Sequence, residues 1–279
     1  MESKVYYKTF RNLFVHNVNL NGLRALIYPY NLTASRYLEN SIVLDFCKNL
    51  NRADLILEAG SGHSIMPTFW EKIGINVIAI DINIEALKWQ ILKSKRLANR
   101  HLQAVLADLR YLPFKEKVFS VVSCISAIEH LPNDNDIKAT REMGNVVKTN
   151  GFYILSFSLS PYQKSISTNE VGSGIPVFVT KFLGSSLSVI FRKFGIDRTS
   201  TFFARLYSLE DVHERLIVHS NCSLYDQMTF RSKSLVKMIH GRIIPMGVLT
   251  FIEFVFARAF FIISKSTFKM DAIIIRLRK

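Results

Sequence analysis

Between residues 54 and 158 the chain alternates short apolar runs with amphipathic stretches, and that alternation restricts its fold more than any other feature. L-I-L-E (55–58) reads as a buried strand, followed by a glycine-containing turn and a short helix through Trp70. I-N-V-I-A-I-D (75–81) is a second strand, and Ile84, Leu87, Ile91 and Leu92 mark one face of the helix after it. H-L-Q-A-V-L-A-D (101–108), V-F-S-V-V-S-C-I (118–125) and G-F-Y-I-L-S-F-S (151–158) supply three more strands, the last entered by an Asn150-Gly151 turn after a helix over 134–148. Strand and helix in this rhythm predict an α/β fold, a doubly wound and mostly parallel sheet with helices on both faces.

The flanks extend this core within a single domain. Leu38, Ile42, Phe46 and Leu50 give the N-terminal segment, 1–53, a helical pattern. The Ser-rich irregular passage 159–207 lies beyond the carboxyl end of a strand, where a substrate lid is expected. Ser208 with Asp211 three residues on predicts a capped helix through Ile217. Two β-rich segments follow, 222–231 and 272–278, with an apolar, basic insertion over 233–268 read as helical.

Charge is concentrated at that end. The chain carries 36 Lys+Arg against 22 Asp+Glu, a formal charge of +14, and residues 227–279 hold ten of the cations with two acids. A basic, apolar tail suggests an anionic membrane surface, here through residues 233–279. The stretch 243–263 contains Pro245, Glu253 and Arg258, and its longest uncharged run is ten residues, short of the roughly 18 to 20 that a span needs. An interfacial or buried helix is therefore expected there. The first residues show no apolar signal region, so a cytoplasmic chain is expected, seated peripherally at most on the cytoplasmic membrane face. Cys47, Cys124 and Cys222 are widely spaced and odd in number, which fits neither a disulfide framework nor a zinc cluster.

The chemistry lies in the nearly balanced first part. Glu58-Ala59-Gly60-Ser61-Gly62-His63-Ser64 forms the turn after the first strand, where two glycines let the backbone approach a ligand. It departs from the dinucleotide fingerprint, whose third glycine would fall at Ile65, and this weighs against a nicotinamide oxidoreductase. Asp81 ends the second strand, where a carboxylate can take both hydroxyls of a ribose, and Asp108 ends the third. Three carboxylates at three consecutive strand ends suit a neutral or cationic adenosine ligand and would repel a pyrophosphate.

L-I-L-E-A-G-S-G, V-I-A-I-D, A-D-L-R-Y-L-P-F, I-S-A-I-E-H-L and R-E-M-G-N-V-V-K-T-N-G-F-Y-I-L-S, in this order, resemble the class I S-adenosylmethionine-dependent methyltransferases. The resemblance is to the small-molecule, methyltransferase type 11-like branch, which includes quinone- and sterol-methylating enzymes. Ser64 stands where many members have a third glycine, and Thr149-Asn150 replaces the usual Pro-Gly. The resemblance implies a seven-stranded sheet with its last strand antiparallel, S-adenosyl-L-methionine as cofactor, and a methyltransferase acting on a small-molecule or lipid-like acceptor. It implies that Glu58, Gly60, Ser61 and Gly62 hold the methionine end, Asp81 with Ile82 the ribose, and Asp108 with Leu109 the adenine. Ile125 would touch the ligand through its backbone.

Methyl transfer from a sulfonium is an in-line displacement that needs alignment and exclusion of water, and no metal. An acceptor that must lose a proton needs a base, and Glu129 and His130, after the fourth strand, are the candidates, His130 first. His63 is another, although filling the turn suits it as well, and Tyr37 and Glu39 are placed to close over the site or simply to pack. Two other readings stay open: a membrane-surface protein retaining the fold without turnover, and a nucleic-acid methyltransferase. The second is disfavoured, because C-I-S-A (124–127) lacks the N-P-P-Y type pattern of many amino-methylating enzymes and no RNA-binding module is recognisable.

Overall fold

The computed structural model describes residues 2–22, 25, 34–97, 101–161, 164–167, 202–232, 261–264 and 272–279. The alternation becomes five parallel strands: β1 (Leu55–Ala59), β2 (Asn76–Asp81), β3 (Leu102–Leu106), β4 (Phe119–Ile125) and β5 (Val147–Ser158). A small hairpin, β6 (Lys164–Ser167) with β7 (Phe202–Leu206), stands apart from the main sheet. Three strands complete that sheet: β8 (Ser223–Ser232), β9 (Phe261–Ser264) and β10 (Ala272–Arg278). The spatial order is β3-β2-β1-β4-β5-β10-β8-β9, with β10 antiparallel to both neighbours. The expected seven strands are there, and β9 adds an eighth at the edge, antiparallel to β8.

Side chains alternate across the sheet, so β1 sends Ile56 to one face and Leu57 to the other, both fully buried. Each such side chain contributes about 1.5 to 3 kcal/mol by leaving water. The Ile56 face is covered by α1 (Glu2–Asn21), α2 (Ala34–Phe46) and α3 (Met66–Lys72), and α4 (Ile84–Arg96) packs beside α3. The Leu57 face is covered by α5 (Asn135–Val146) and by a helical segment that opens as Leu209–Asp211, widens to a π-helix over Val212–Ile217 and closes with a 3-10 turn, Val218–Ser220. The expected cap at Ser208 is complete: its hydroxyl accepts from the Asp211 amide at 3.1 Å, and the Asp211 carboxylate accepts from the Ser208 amide at 2.9 Å.

Two expectations change. The inward residues of α4 are Ala86, Leu87, Gln90, Lys93 and Ser94, while Ile84 and Leu92 are half exposed. The polar members are tolerated because each finds a partner: Ser94 donates to Glu71 at 2.7 Å and Lys93 to the Leu20 carbonyl at 3.1 Å. Within the insertion assigned to helix, 261–264 is strand, because the open edge of β8 offers its backbone groups for pairing, and 233–260 lies outside the described residues. At the end of the apolar tail, Ile273, Ile274, Ile275 and Leu277 are buried inside the sheet. Among the described residues no helix is long and apolar enough to cross a membrane. The lid region is described only at its two ends, 159–161 with 164–167 and 202–207.

Candidate active site

Strand order reverses between β1 and β4, and the loops leaving the carboxyl ends of the strands part there to leave a crevice. A cavity of about 450 Å³ occupies it, lined by Gly60, Asp81, Ile82, Asp108, Leu109, Arg110, Ser126, Ala127, His130, Leu131, Pro132 and Asn135.

The floor begins at the turn after β1. Gly60 and Gly62 have φ of +67° and +46°, in the left-handed region that glycine enters without strain. At Gly60 a Cβ would meet the Cβ of Ala127 at 2.6 Å, so the turn packs directly on the loop after β4. Asp81 ties this turn to the end of β2: Oδ2 accepts from the Gly62 amide and Oδ1 from the Asn83 amide, each at 2.8 Å. The Gly62 N–H is thus already satisfied by a carboxylate, which disfavours a phosphate there. From the other side, buried Gln90 of α4 donates to the carbonyls of Gly62 at 3.1 Å and Ser64 at 2.8 Å.

Asp108 lies two residues beyond β3 rather than at its end, because a tight turn closes there, with the Tyr111 amide donating to the Asp108 carbonyl at 3.0 Å. Its carboxylate is gripped by Arg110, whose Nε lies 3.0 Å from both oxygens and whose Nη2 lies 2.6 Å from Oδ2. That grip holds the Asp108 carboxyl below the usual carboxylate range. Ile82, 73% exposed, and Leu109 bring apolar surface to the same end of the cavity.

The opposite wall follows β4. Ile125 is the last residue of that strand and lies outside the lining, because Ser126 then turns the chain with φ of +46° and takes the wall position with Ala127. A 3-10 turn, Ile128–His130, places His130 on the cavity. Its Nδ1 lies 2.8 Å from the carbonyl of Phe203 in β7, and the Phe203 ring meets the imidazole edge-on with centroids 5.0 Å apart. A carbonyl only accepts, so Nδ1 carries the hydrogen and Nε2 keeps the lone pair of the neutral ring.

Several expected residues lie behind this surface. Glu58 is 2% exposed and accepts from the Ser123 hydroxyl at 2.5 Å; burial pushes its carboxyl up to about 7, and the Ser123 bond opposes the rise. Glu129 is also buried, with Oε2 lacking a hydrogen-bond partner among the described residues, and burial raises it to about 7 against the pull of Arg36. Ser61 and Gly62 are also outside the lining. His63 packs edge-on against Trp89, with centroids 5.5 Å apart. Tyr37 is buried and accepts from Asn17 at 2.7 Å, while Glu39 accepts from Ser126 at 2.9 Å, Ser156 at 2.5 Å and Arg36 at 2.8 Å. Glu39 therefore braces the wall that Ser126 forms.

The cavity thus brings together Gly60, Asp81, Ile82, Asp108, Leu109 and His130. Sequence reasoning missed Arg110, Ser126, Ala127, Leu131, Pro132 and Asn135. The first had a local signal, an arginine two residues after a strand-end aspartate, and Ser126 and Leu131 stood within a motif already singled out. Among the described residues no group of three or more His, Cys, Asp or Glu converges as a metal site would require.

Residues 57–155 match the family model described as a methyltransferase domain. An uncharacterised protein of Methanocaldococcus jannaschii is 30% identical over 106 residues, 38% of this chain and 41% of that protein, so the chain spans about two fifths of that relative. Among solved structures, the YcgJ protein of Bacillus subtilis has a TM-score of 0.54 at 13% identity, covering 86% of this chain and 98% of its own. A geranyl diphosphate methyltransferase in complex with SAM has a TM-score of 0.53 at 10% identity, covering 88% and 86%. At such identities the likeness is one of fold.

Proposed function

We propose that this chain, whose residues 57–155 match the methyltransferase-domain family model, transfers the methyl group of S-adenosylmethionine to a small-molecule or lipid-like acceptor held beside His130. The observation that carries this reading is the convergence of Asp81, Asp108, the apolar Ile82 and Leu109, and His130 on one cavity at the strand crossover.

The residues present fit the cofactor. Asp81 spends one lone pair of each oxygen on backbone amides, and a carboxylate has about four acceptor sites, so both oxygens can still accept from a ribose diol. Ile82 and Leu109 offer flat apolar contact to an adenine, with Asp108 beside them. The carboxylates suit a ligand without phosphate and carrying positive charge. When bound, the cofactor supplies an electrophilic methyl on a sulfonium.

The chain's own part is alignment and proton management. Ser126, Ala127, His130 and Leu131 form the wall against which an acceptor would lie. For a protonated oxygen or nitrogen acceptor, the acceptor lone pair forms the bond to the methyl carbon as the carbon–sulfur bond breaks with its electrons going to sulfur. His130 Nε2 takes the acceptor's proton and later yields it to water. Arg36, Glu39 and Ser126 hold the wall rigid, which limits the loss that a misplaced acceptor would bring.

Incubation with methyl-labelled cofactor and cell extract, followed by organic and aqueous partition, tests the proposal. Label in the organic phase is the expected result for a lipid-like acceptor. Label confined to water-soluble products removes the lipid class, and absence of transfer to any product overturns the activity.

A further inference from the structure

Outside the cavity, the most heavily bonded group among the described residues is a single carboxylate. Asp136, in the first turn of α5, is fully buried. Its Oδ2 accepts from Arg205 Nη1, from Tyr207 Oη at 3.0 Å and from Arg215 Nε at 3.0 Å, and its Oδ1 accepts from Arg215 Nη2 at 2.8 Å. The two arginines also donate to the carbonyl of Asn133, at 2.7 Å and 3.0 Å, where the backbone turns with φ of +55°. Arg205 and Tyr207 belong to β7 and its continuation, and Arg215 to the π-helical stretch. The two arginines thereby reach the segment 131–135 that leaves His130 and supplies Leu131, Pro132 and Asn135 to the cavity wall.

We propose that Arg205 is a positioning residue for the histidine at the transfer site: by locking β7 to Asp136 and Asn133 it sets the Phe203 carbonyl against His130 Nδ1, and so keeps the lone pair on Nε2. The inference rests on the reading of His130 as a residue of the transfer site.

The geometry is that of two contacts on one strand. Phe203 and Arg205 are two residues apart in β7, and Phe203 is the extra residue where the pairing of β7 with β6 shifts register, a bulge that sets its backbone apart from the regular ladder. Arg205 meets the start of α5, and Phe203 meets the 3-10 turn before it. A slip of β7 by one residue would remove both contacts together. The guanidinium suits this task because its fork serves a carboxylate oxygen and a carbonyl from one rigid plane. Sliding β7 away would take the buried Arg205 guanidinium from its carboxylate, which Arg215 and Tyr207 would still hold, so β7 resists leaving the loop.

A solvated imidazole carries its proton mainly on Nε2, and His130 is exposed, so the form fixed here differs from the one it would adopt alone. Long-range proton–nitrogen correlation spectra of histidine-labelled protein, at a pH where the ring is neutral, read this without any turnover. A His130→Gln sample assigns the signal. The wild type should show a pyrrole-type Nδ1 and a pyridine-type Nε2. In Arg205→Gln the pattern should shift towards the Nε2–H form, and Arg205→Lys, which keeps the charge but lacks the fork, should shift it part of the way. A wild-type ring in the Nε2–H form refutes the Phe203 contact. A folded Arg205→Lys or Arg205→Gln protein with the wild-type pattern refutes the positioning role. If the tautomer behaves as stated but neither form transfers a methyl group, the proposed activity fails and the positioning stands. If both hold, Arg205→Gln lowers kcat while the KM for the cofactor stays within about twofold, because Arg205 acts on the base and lies outside the cofactor cavity.

Discussion

Replacing Glu58 with glutamine changes how stability responds to pH, and the structure sets the size of the change. The carboxyl is enclosed in β1 and accepts from the Ser123 hydroxyl, and burial raises it from 4.5 to about 7. Between those values the folded state holds a proton that the unfolded state has released, so stability is full below about pH 4.5 and falls as pH rises through 7. At 1.36 kcal/mol per unit the loss is about 3 kcal/mol. Glu129, also raised to about 7 by burial, adds a loss of similar size in the same window. Asp108 and Asp136 are shifted the other way, so their contributions are gained below that window, whereas burial lowers His16 from 6.5 to about 4, and its contribution rises with pH inside the window and opposes the loss in wild type and variant alike. Urea unfolding followed by circular dichroism at pH 5 and pH 8.5 measures the difference in free energy. Glu58→Gln should lower the loss between pH 5 and pH 8.5 by about 3 kcal/mol relative to wild type, leaving the Glu129 loss offset by the His16 gain. Equal differences in the two folded proteins would show that Glu58 ionises as an ordinary surface carboxyl, and the reasoning about its enclosure would be wrong.

Two further substitutions test the turn that floors the cavity. Gly60→Ala places a methyl 2.6 Å from Ala127 Cβ at a positive φ, and should cost about 2 to 4 kcal/mol, read as a fall in Tm of several degrees; an unchanged Tm contradicts the close approach. Gln90→Leu strips two partly buried carbonyls of their donor at a cost of about 1 to 3 kcal/mol, and hydrogen exchange at the Ser61 and Ser64 amides should quicken at least tenfold; unaltered protection there means that the turn holds itself.

The core was legible because strands buried on both faces leave continuous apolar runs, as in L-I-L-E and A-I-I-I-R-L-R, and because Ser208 and Asp211 stand at the spacing a cap requires. The inward face of α4 was not, since Gln90, Lys93 and Ser94 are buried by virtue of partners distant in sequence, which hydrophobic periodicity cannot register. The π-helical run 212–217 and the strand 261–264 are likewise decided by packing and by an open sheet edge rather than by local preference. In the site, Asp81 at the end of β2 and the glycine turn could be placed from spacing, whereas the turn that carries Asp108 two residues past β3 could not. The depth of Glu58 and Glu129 could not, because whether a carboxylate faces a cavity or a serine depends on which neighbours the sheet brings beside it. The Asp136 cluster joins residues 69 to 79 positions apart and carries no local signature.

Calorimetric titration of the wild type and Asp81→Ala with S-adenosylmethionine, side by side, bears most directly on the central claim. The wild type should bind one equivalent. The variant loses two charge-assisted hydrogen bonds to the ribose, about 1.5 to 3 kcal/mol each, which weakens binding by about 10² to 10⁴-fold. Equal affinity in the two proteins, or no heat from the wild type at millimolar ligand, would contradict the assignment of this cavity to the cofactor.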